Sequence, residues 1–311
     1  MATVNSVSKS SYLATGQPAG FVPQIWLNRA LTIFHQNCVM PKLVNRNYEN
    51  DFRSKGDTVN IPKMGTLSVN DKVAGQTVTL QQPEGTTVQI TLAYHQEVSF
   101  LIEDVIASQS AVDLMDGLIT EGMIKMANKV DLALLGLYSG VDAGMVVGSG
   151  SSQITEDNVV KARYLLNQSE VPYTDRAMVV RDYAPLLKID RFTRADMLGT
   201  QSAIPTGLVG SLHGLPSYED PRVILDTGSP ATLHNLIFHK QGLALASRPL
   251  PLPPAGLGVR ASYRVMDGVG MRLLYGYNMD ALGTQVTLDM LYGVKLVRTD
   301  SVVDLQSAAI Y

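Results

Sequence analysis

Between Val88 and Ile102 apolar side chains recur on every second position: Val88, Ile90, Leu92, Tyr94, then Val98, Phe100 and Ile102. That period marks an extended strand with one apolar face. At about 3.3 Å per residue such a strand would reach roughly 50 Å, far beyond the usual length of about 5–6 residues. A hairpin that long projects past its own domain and must lie on something else, a neighbouring subunit being the obvious candidate. Directly after it the period changes. Val105, Val112, Met115, Ile119, Met123, Met126, Val130, Leu134 and Leu137 follow helical spacing. Glu103 and Asp104 stand at the start, where acids suit the helix dipole. No proline interrupts the run, although Gly117 and Gly122 are placed to bend it. About 35 residues at 1.5 Å each predict a rod of roughly 50 Å, which few single-domain enzymes need.

The flanking sequence supplies the rest of an α+β chain. Residues 1–20 are small and polar and are expected to form a mobile arm, because they bury too little to offset ordering entropy. Ile25, Trp26, Leu27, Ala30, Leu31 and Phe34 predict a short amphipathic helix after Pro23. Val59 with Ile61, and Val78 with Leu80, alternate as further strands, with Gly65, Gly75 and the Pro83-Glu84-Gly85 turn between the arms. Gly148 to Ser152 marks a boundary. Beyond it, Val159 to Leu166 reads as a helix capped near Thr155, and Ala177 to Val180 as a buried strand. Asp182 to Ile189 reads as helical despite Pro185, which is tolerated near a helix start. Val223 to Leu225, Leu236 to Phe238, Met271 to Tyr277 and Thr284 to Val297 read as strands, and the prolines at 249, 251, 253 and 254 as a rigid connector.

At 311 residues the chain exceeds the usual single core, so two or more modules are expected. A hydrophobic share of 45% beside 17% charged residues argues against global disorder. The net charge of −3 excludes a chain that is basic overall, but not a local basic surface. Such a surface is suggested through Lys55, where Lys9, Arg29, Lys42, Arg46, Arg53 and Lys55 oppose Glu49 and Asp51, a local charge of +4. Cys38 is the 1 cysteine, so neither an intrachain disulfide nor a cysteine zinc site can form. The N-terminus lacks an apolar signal region, and no apolar run approaches the roughly 18 residues that span a bilayer. A soluble protein, intracellular when made and without membrane attachment, is expected.

Several stretches carry a family likeness. GDTVNIPKMG followed by VSFLIEDVIASQSAVDL resembles the hairpin-to-spine-helix passage of the HK97-like fold of tailed-phage major capsid proteins. AMVVRDYAPLLKI, GLVGSLHGLPSYED and HNLIFHKQGLALA resemble its axial module, and TLDMLYGVKLVR resembles the strand that returns to its peripheral module. Together these cover most of residues 50–300. The resemblance implies an N-terminal arm (1–52), an extended β-hairpin loop (53–100), the spine helix of a peripheral domain (101–147), an axial domain (148–262) and returning peripheral strands (263–311). It implies a structural protein, not an enzyme, without cofactor or metal. The chain would assemble with itself, as pentamers and hexamers, into the icosahedral head shell of a tailed double-stranded DNA phage. Assembly would take place in the host bacterial cytoplasm, with portal and decoration proteins as further partners. Arg53, Lys63, Lys72 and Glu84 are then candidates for inter-subunit contacts. Lys9, Arg29, Lys42 and Arg46 are candidates for an inner surface facing packaged DNA without sequence readout. Some relatives carry a fused helical scaffold that is later cut away. Here amphipathic sequence begins within about 25 residues of Met1, which implies a separate scaffolding protein. The same fold also builds bacterial nanocompartments of the encapsulin type, which enclose an enzyme instead of a genome. One member of the fold joins an extended-loop Lys to a peripheral Asn. Lys63, Lys72 and Asn278 occupy the corresponding modules, but such residues are ordinarily surface polar groups.

Other motifs point elsewhere. Val223-Ile224-Leu225-Asp226-Thr227-Gly228-Ser229 matches the hydrophobic-DTG-S signature of aspartic proteases. That chemistry needs two carboxylates sharing a proton, so the chain would have to dimerise around Asp226. The alternative is a strand ending in a turn, with Asp and Gly chosen for turn geometry. His234 and His239 are five apart with Leu236, Ile237 and Phe238 between, which predicts a strand with the two rings on opposite faces. His35, His95 and His213 lack a triad motif nearby. Gly256-Leu257-Gly258 and Gly268-Val269-Gly270 lack the full nucleotide-binding pattern and read as loops.

Overall fold

A computed structural model of the chain describes residues 21–47, 58–63, 67–83, 85–109, 114–187, 208–254 and 258–309. The first half of the chain supplies α1 (Phe21–Asn37), α2 (Met40–Leu43), β1 (Thr58–Lys63), β2 (Thr86–Thr91), β3 (Tyr94–Glu103), α3 (Asp104–Gln109) and α4 (Leu114–Leu135). After two 3-10 turns come β4 (Val146–Gly148), α5 (Glu156–Gln168), β5 (Arg176–Val180) and α6 (Ala184–Leu187). Then follow β6 (Leu208–Leu212), β7 (Leu215–Glu219), β8 (Leu225–Asp226), β9 (Thr232–His239) and β10 (Leu243–Arg248). The chain closes with β11 (Arg260–Met266), β12 (Val269–Asn278), β13 (Gly283–Leu296) and β14 (Val302–Ala308). The class is α+β, as the residue patterns imply.

The chain divides into two compact units. One comprises Met1–Cys38, His95–Lys129 and Ser247–Leu291. Its scaffold is the antiparallel run β11-β12-β13, with β3 also pairing β13. The Asp267-Gly268 turn that joins β11 to β12 has positive φ at both residues, 44° and 77°, as a tight two-residue hairpin requires. Helix α1 lies on β11 and β12, burying Leu27, Ala30, Leu31 and Phe34, and Trp26 meets Tyr275 edge to face at 5.4 Å. The helix begins at Phe21, so Pro23 falls in its first turn, where a missing N–H costs nothing.

The other unit comprises Val39–Tyr94, Val130–Ala246 and Tyr292–Tyr311. Its sheet runs β4-β14-β9-β5-β7-β6, with β8 on β9. Strands β5 and β9 are buried along nearly their whole length, as central strands covered on both faces must be. Helix α5 covers β14 and β4, and its stripe of Val159, Ala162 and Leu166 sits over Val303, Leu305, Met178 and Ile237. Thr155 caps α5, its hydroxyl accepting from the Asn158 N–H at 3.3 Å. Inside the sheet Asn235 donates to the Leu305 carbonyl and to Ser307 Oγ and accepts from the Arg181 N–H.

Some expectations are corrected. The alternation from Val88 to Ile102 is two strands, not one: β2 ends at Thr91, β3 starts at Tyr94, and they belong to different sheets. Ala93 donates back to the Thr91 carbonyl at 3.0 Å, a tight bend that leaves the parity of the apolar positions intact. Val78 and Leu80 lie in irregular chain without a strand partner. The helical run resolves into α3, α4 and a 3-10 turn from Gly136, with residues 110–113 outside the described residues. The 22 residues of α4 span about 33 Å. Asp182 and Tyr183 precede α6 and are not helical, and Ile189 lies outside the described residues. Val223 is not in a strand: its N–H donates to the Asp220 carbonyl, and Asp220 Oδ1 accepts from the Arg222 N–H, which closes a turn.

Candidate assembly interface

Strands β1 and β2 form a two-stranded antiparallel ribbon in register from Thr58↔Thr91 to Lys63↔Thr86. Ile61 and Ile90 are its buried side chains, and an isolated two-stranded ribbon is marginal in water without such a face. Residues 67–83 continue from it without regular structure. Ser68 and Gln81 exchange two hydrogen bonds, at 2.8 and 2.6 Å, and a turn closes from Val73 to Gln76 around Gly75 at φ +88°.

Every residue from 67 to 83 is exposed. Leu67, Val69, Val73, Val78 and Leu80 are among them, Val69 at 97% and Leu80 at 92%. Burying a Val or Leu side chain contributes about 1.5–3 kcal/mol, and this loop leaves all of that unrealised. Exposed aliphatic residues gathered on one segment are the kind of surface at which proteins meet partners. At the other end of the ribbon the chain is anchored. Gly293 of β13 lies so close to the Thr91 carbonyl that an added Cβ would stand 2.2 Å from its oxygen. Tyr94 stacks on Tyr292 at 5.2 Å.

The charged candidates do not converge. Arg53, Glu84 and Lys9 lie outside the described residues. Lys63 ends β1, and Lys72 sits in the exposed loop. Arg29, on α1, pairs with Asp116 of α4 at 2.5 Å. Lys42 is exposed in the last turn of α2, and Arg46 is half-buried beyond it.

Three buried polar clusters carried no sequence signal, because their members are distant in the chain. Asp131 of α4 is fully buried, accepts from the N–H groups of Val39 and Met40 at 3.1 Å each, and pairs with Arg222 at 3.0 Å. Arg222 also bonds Asp220 at 2.5 Å. Burial pushes Asp131 up to about 7, the Asp220 charge adding to the effect, against the opposing pull of Arg222 and the two N–H donors. His234 contacts Asp304 at 2.8 Å and stacks on Tyr138 at 3.9 Å. Burial raises Asp304, while His234 and Gln306 oppose the shift. Arg272 binds Asp289 through two nitrogens, and His95 reaches the same carboxylate at 3.3 Å.

The tempting motifs resolve into local structure. Asp226 is exposed at the end of β8, and its Oδ1 accepts from the Gly228 N–H at 3.2 Å, an Asx turn. His234 and His239 fall on β9, five apart and so on opposite faces. His35 contacts the Met266 carbonyl and His213 contacts Glu156, both at 3.0 Å. Asn278 caps a turn by accepting from Asp280 and Ala281. Gly268 is in the β11–β12 turn, whereas Val269 and Gly270 open β12 and are not loop. Gly256 and Leu257 lie outside the described residues. Among the described residues no group of 3 or more His, Cys, Asp or Glu is placed to hold a metal. No described helix is long and apolar enough to cross a membrane.

Neither a protein-family profile nor a curated protein matches the sequence. Solved structures do match its fold. A structure from Mycobacterium phage Che8 is 24% identical, with a TM-score of 0.62 over 86% of this chain and 90% of its own. The capsid of Ralstonia phage GP4 aligns with a TM-score of 0.63 at 12% identity, over 86% of this chain and 88% of its own. The holo-SrpI encapsulin complex from Synechococcus elongatus PCC 7942 aligns with a TM-score of 0.51 at 13% identity, over 81% and 82%. The chain has the HK97-like fold found in phage capsids.

Proposed function

We propose that this chain builds a closed protein shell, and that the shell is the icosahedral head of a tailed double-stranded DNA bacteriophage. The observation that carries the reading is the exposed loop 67–83 on its ribbon, within a fold shared with phage capsids over 86% of the chain. The loop's aliphatic residues have no cover in their own chain among the described residues, and a neighbouring copy supplies one. In this reading the protein is structural and not an enzyme. Residues 53–100 form the extended loop, 101–147 with 263–311 the peripheral domain, and 148–262 the axial domain that meets its copies in pentamers and hexamers, save that the closing strand β14 belongs to the sheet of β5 and β9. Arg53, Lys63, Lys72 and Glu84 belong to the contacts between subunits. Lys9, Arg29, Lys42 and Arg46 belong to the face toward packaged DNA. A separate scaffolding protein, a portal and decoration proteins complete the particle, which is assembled in the host cytoplasm.

A second reading is an encapsulin-type nanocompartment, favoured by the encapsulin among the similar structures. Electron microscopy of native particles, with nucleic acid assayed in the same sample, separates the two. DNA-filled icosahedral shells are expected. Protein-filled shells would replace the phage reading with the nanocompartment, and a native monomer or dimer would remove both.

A further inference from the structure

Helix α2 starts without a cap of its own. Its N-cap is Val39, whose side chain can accept nothing, and Pro41 has no N–H to give. The cap comes instead from another helix. Asp131 of α4 accepts from the Met40 N–H through Oδ1 and from the Val39 N–H through Oδ2, both at 3.1 Å. The same Oδ2 meets Arg222 at 3.0 Å, and Arg222 also binds Asp220 Oδ1 in the turn that follows β7. Val39, Asp131, Asp220 and Arg222 belong to one compact unit, and Val39 and Val130 each begin one of its segments. The cluster thus pins both of those starts to the turn at 220–223.

The charges in this cluster do not balance. Asp131 and Asp220 are both fully buried. Two carboxylates against one guanidinium leave one negative charge in excess, and Asp220 Oδ2 is buried with no donor among the described residues. The charged groups that act on Asp131 are Arg222, which favours its ionised form, and Asp220, which opposes it. From α2 it meets two amides, Lys42 being exposed, and on α4 itself Lys129 is exposed as well. A single proton cancels the excess. A neutral carboxyl keeps its acceptor oxygens, so the α2 amides can stay bound.

We infer that Asp131, Asp220 and Arg222 form a proton-held latch on α2, closed while the two carboxyls carry one proton between them and loosened once it leaves. The rise of Asp131 to about 7, with burial as its largest cause, agrees with this arrangement. Opening returns Asp131 to solvent and toward its ordinary 3.8, so between those values opening releases a proton. Raising the pH through that window favours the open latch, and above about 7 the effect levels off. The latch lies within one chain and does not depend on the shell reading.

The test is amide exchange at Val39 and Met40 in the full chain at about pH 5 and pH 7, corrected for intrinsic base catalysis. In the parent these amides are expected to open at least about tenfold more at the higher pH, and at least about tenfold more often there than the amides of β9. Asp131→Asn can carry no such proton, and its profile is expected to stay flat within about twofold. Asp220→Asn leaves Asp131 and Arg222 balanced, and its rise is expected to be at least about threefold smaller than the parent's. A flat parent profile, an undiminished rise in either variant, or protection equal to that of β9 would overturn the latch. Should neither variant fold, the parent decides alone. Its rise is expected to level off near pH 7, and a profile still climbing at about pH 9 would overturn the latch as well.

Discussion

Among the described residues, Asp131 is the one whose protonation departs furthest from its ordinary value. Its native pKa of about 7 exceeds the ordinary 3.8, so the folded chain holds a proton that the unfolded chain releases. Between those values the native state binds more protons, and stability falls as pH rises. The loss is complete above about 7 and amounts to a few kcal/mol at most. The urea midpoint of the parent is therefore expected to drop between pH 5 and pH 8 more steeply than that of Asp131→Asn. Parallel slopes for the two proteins would mean that Asp131 carries no such proton. At Asp226 a different outcome is expected. Asparagine also accepts from the Gly228 N–H, so Asp226→Asn should assemble with the parental particle yield, whereas a catalytic carboxylate would not tolerate the change.

At the scale of elements, glycines show where packing is tight and where it is not. Gly117 in α4 has open space around it, so Gly117→Ala gains helix propensity without a clash. A gain of about 0.5–1 kcal/mol is expected, read as a raised Tm. Gly293 in β13 is the opposite case, because its neighbour is the backbone oxygen of Thr91, which has no rotamer to change. Gly293→Ala is expected to cost roughly 2 kcal/mol or more and to lower the Tm. Gly122 lies between these limits. Its added Cβ would meet Val98 Cγ1 at 2.7 Å, a side-chain atom that can move, so the helix gain and the crowding oppose each other.

For the whole molecule, the loop should be dispensable for folding and required for assembly. Lys63 and Thr86 face each other across the ribbon, so the ends of the loop are already close. A short Gly-Ser turn in place of residues 67–83 closes them without strain and removes five exposed aliphatic side chains, Leu67, Val69, Val73, Val78 and Leu80. This variant is expected to stay soluble with parental circular dichroism and to form no particles by sedimentation. Particle formation by the shortened chain would show that the loop is not an assembly element.

The sequence by itself determined which faces are apolar and roughly where elements lie. Side-chain period follows from local backbone geometry, so the strands at 177–180 and 236–238, the Thr155 cap and the helix over α4 were legible. So was the α+β class, with the resemblance that named the fold. Tertiary structure alone decided who pairs with whom. The kink at Leu92–Ala93 keeps the parity of the apolar positions, so the alternation could not show that β2 and β3 join different sheets. The Asp131–Arg222, His234–Asp304 and Arg272–Asp289 contacts join residues 91, 70 and 17 positions apart, where the chain path sets the distance.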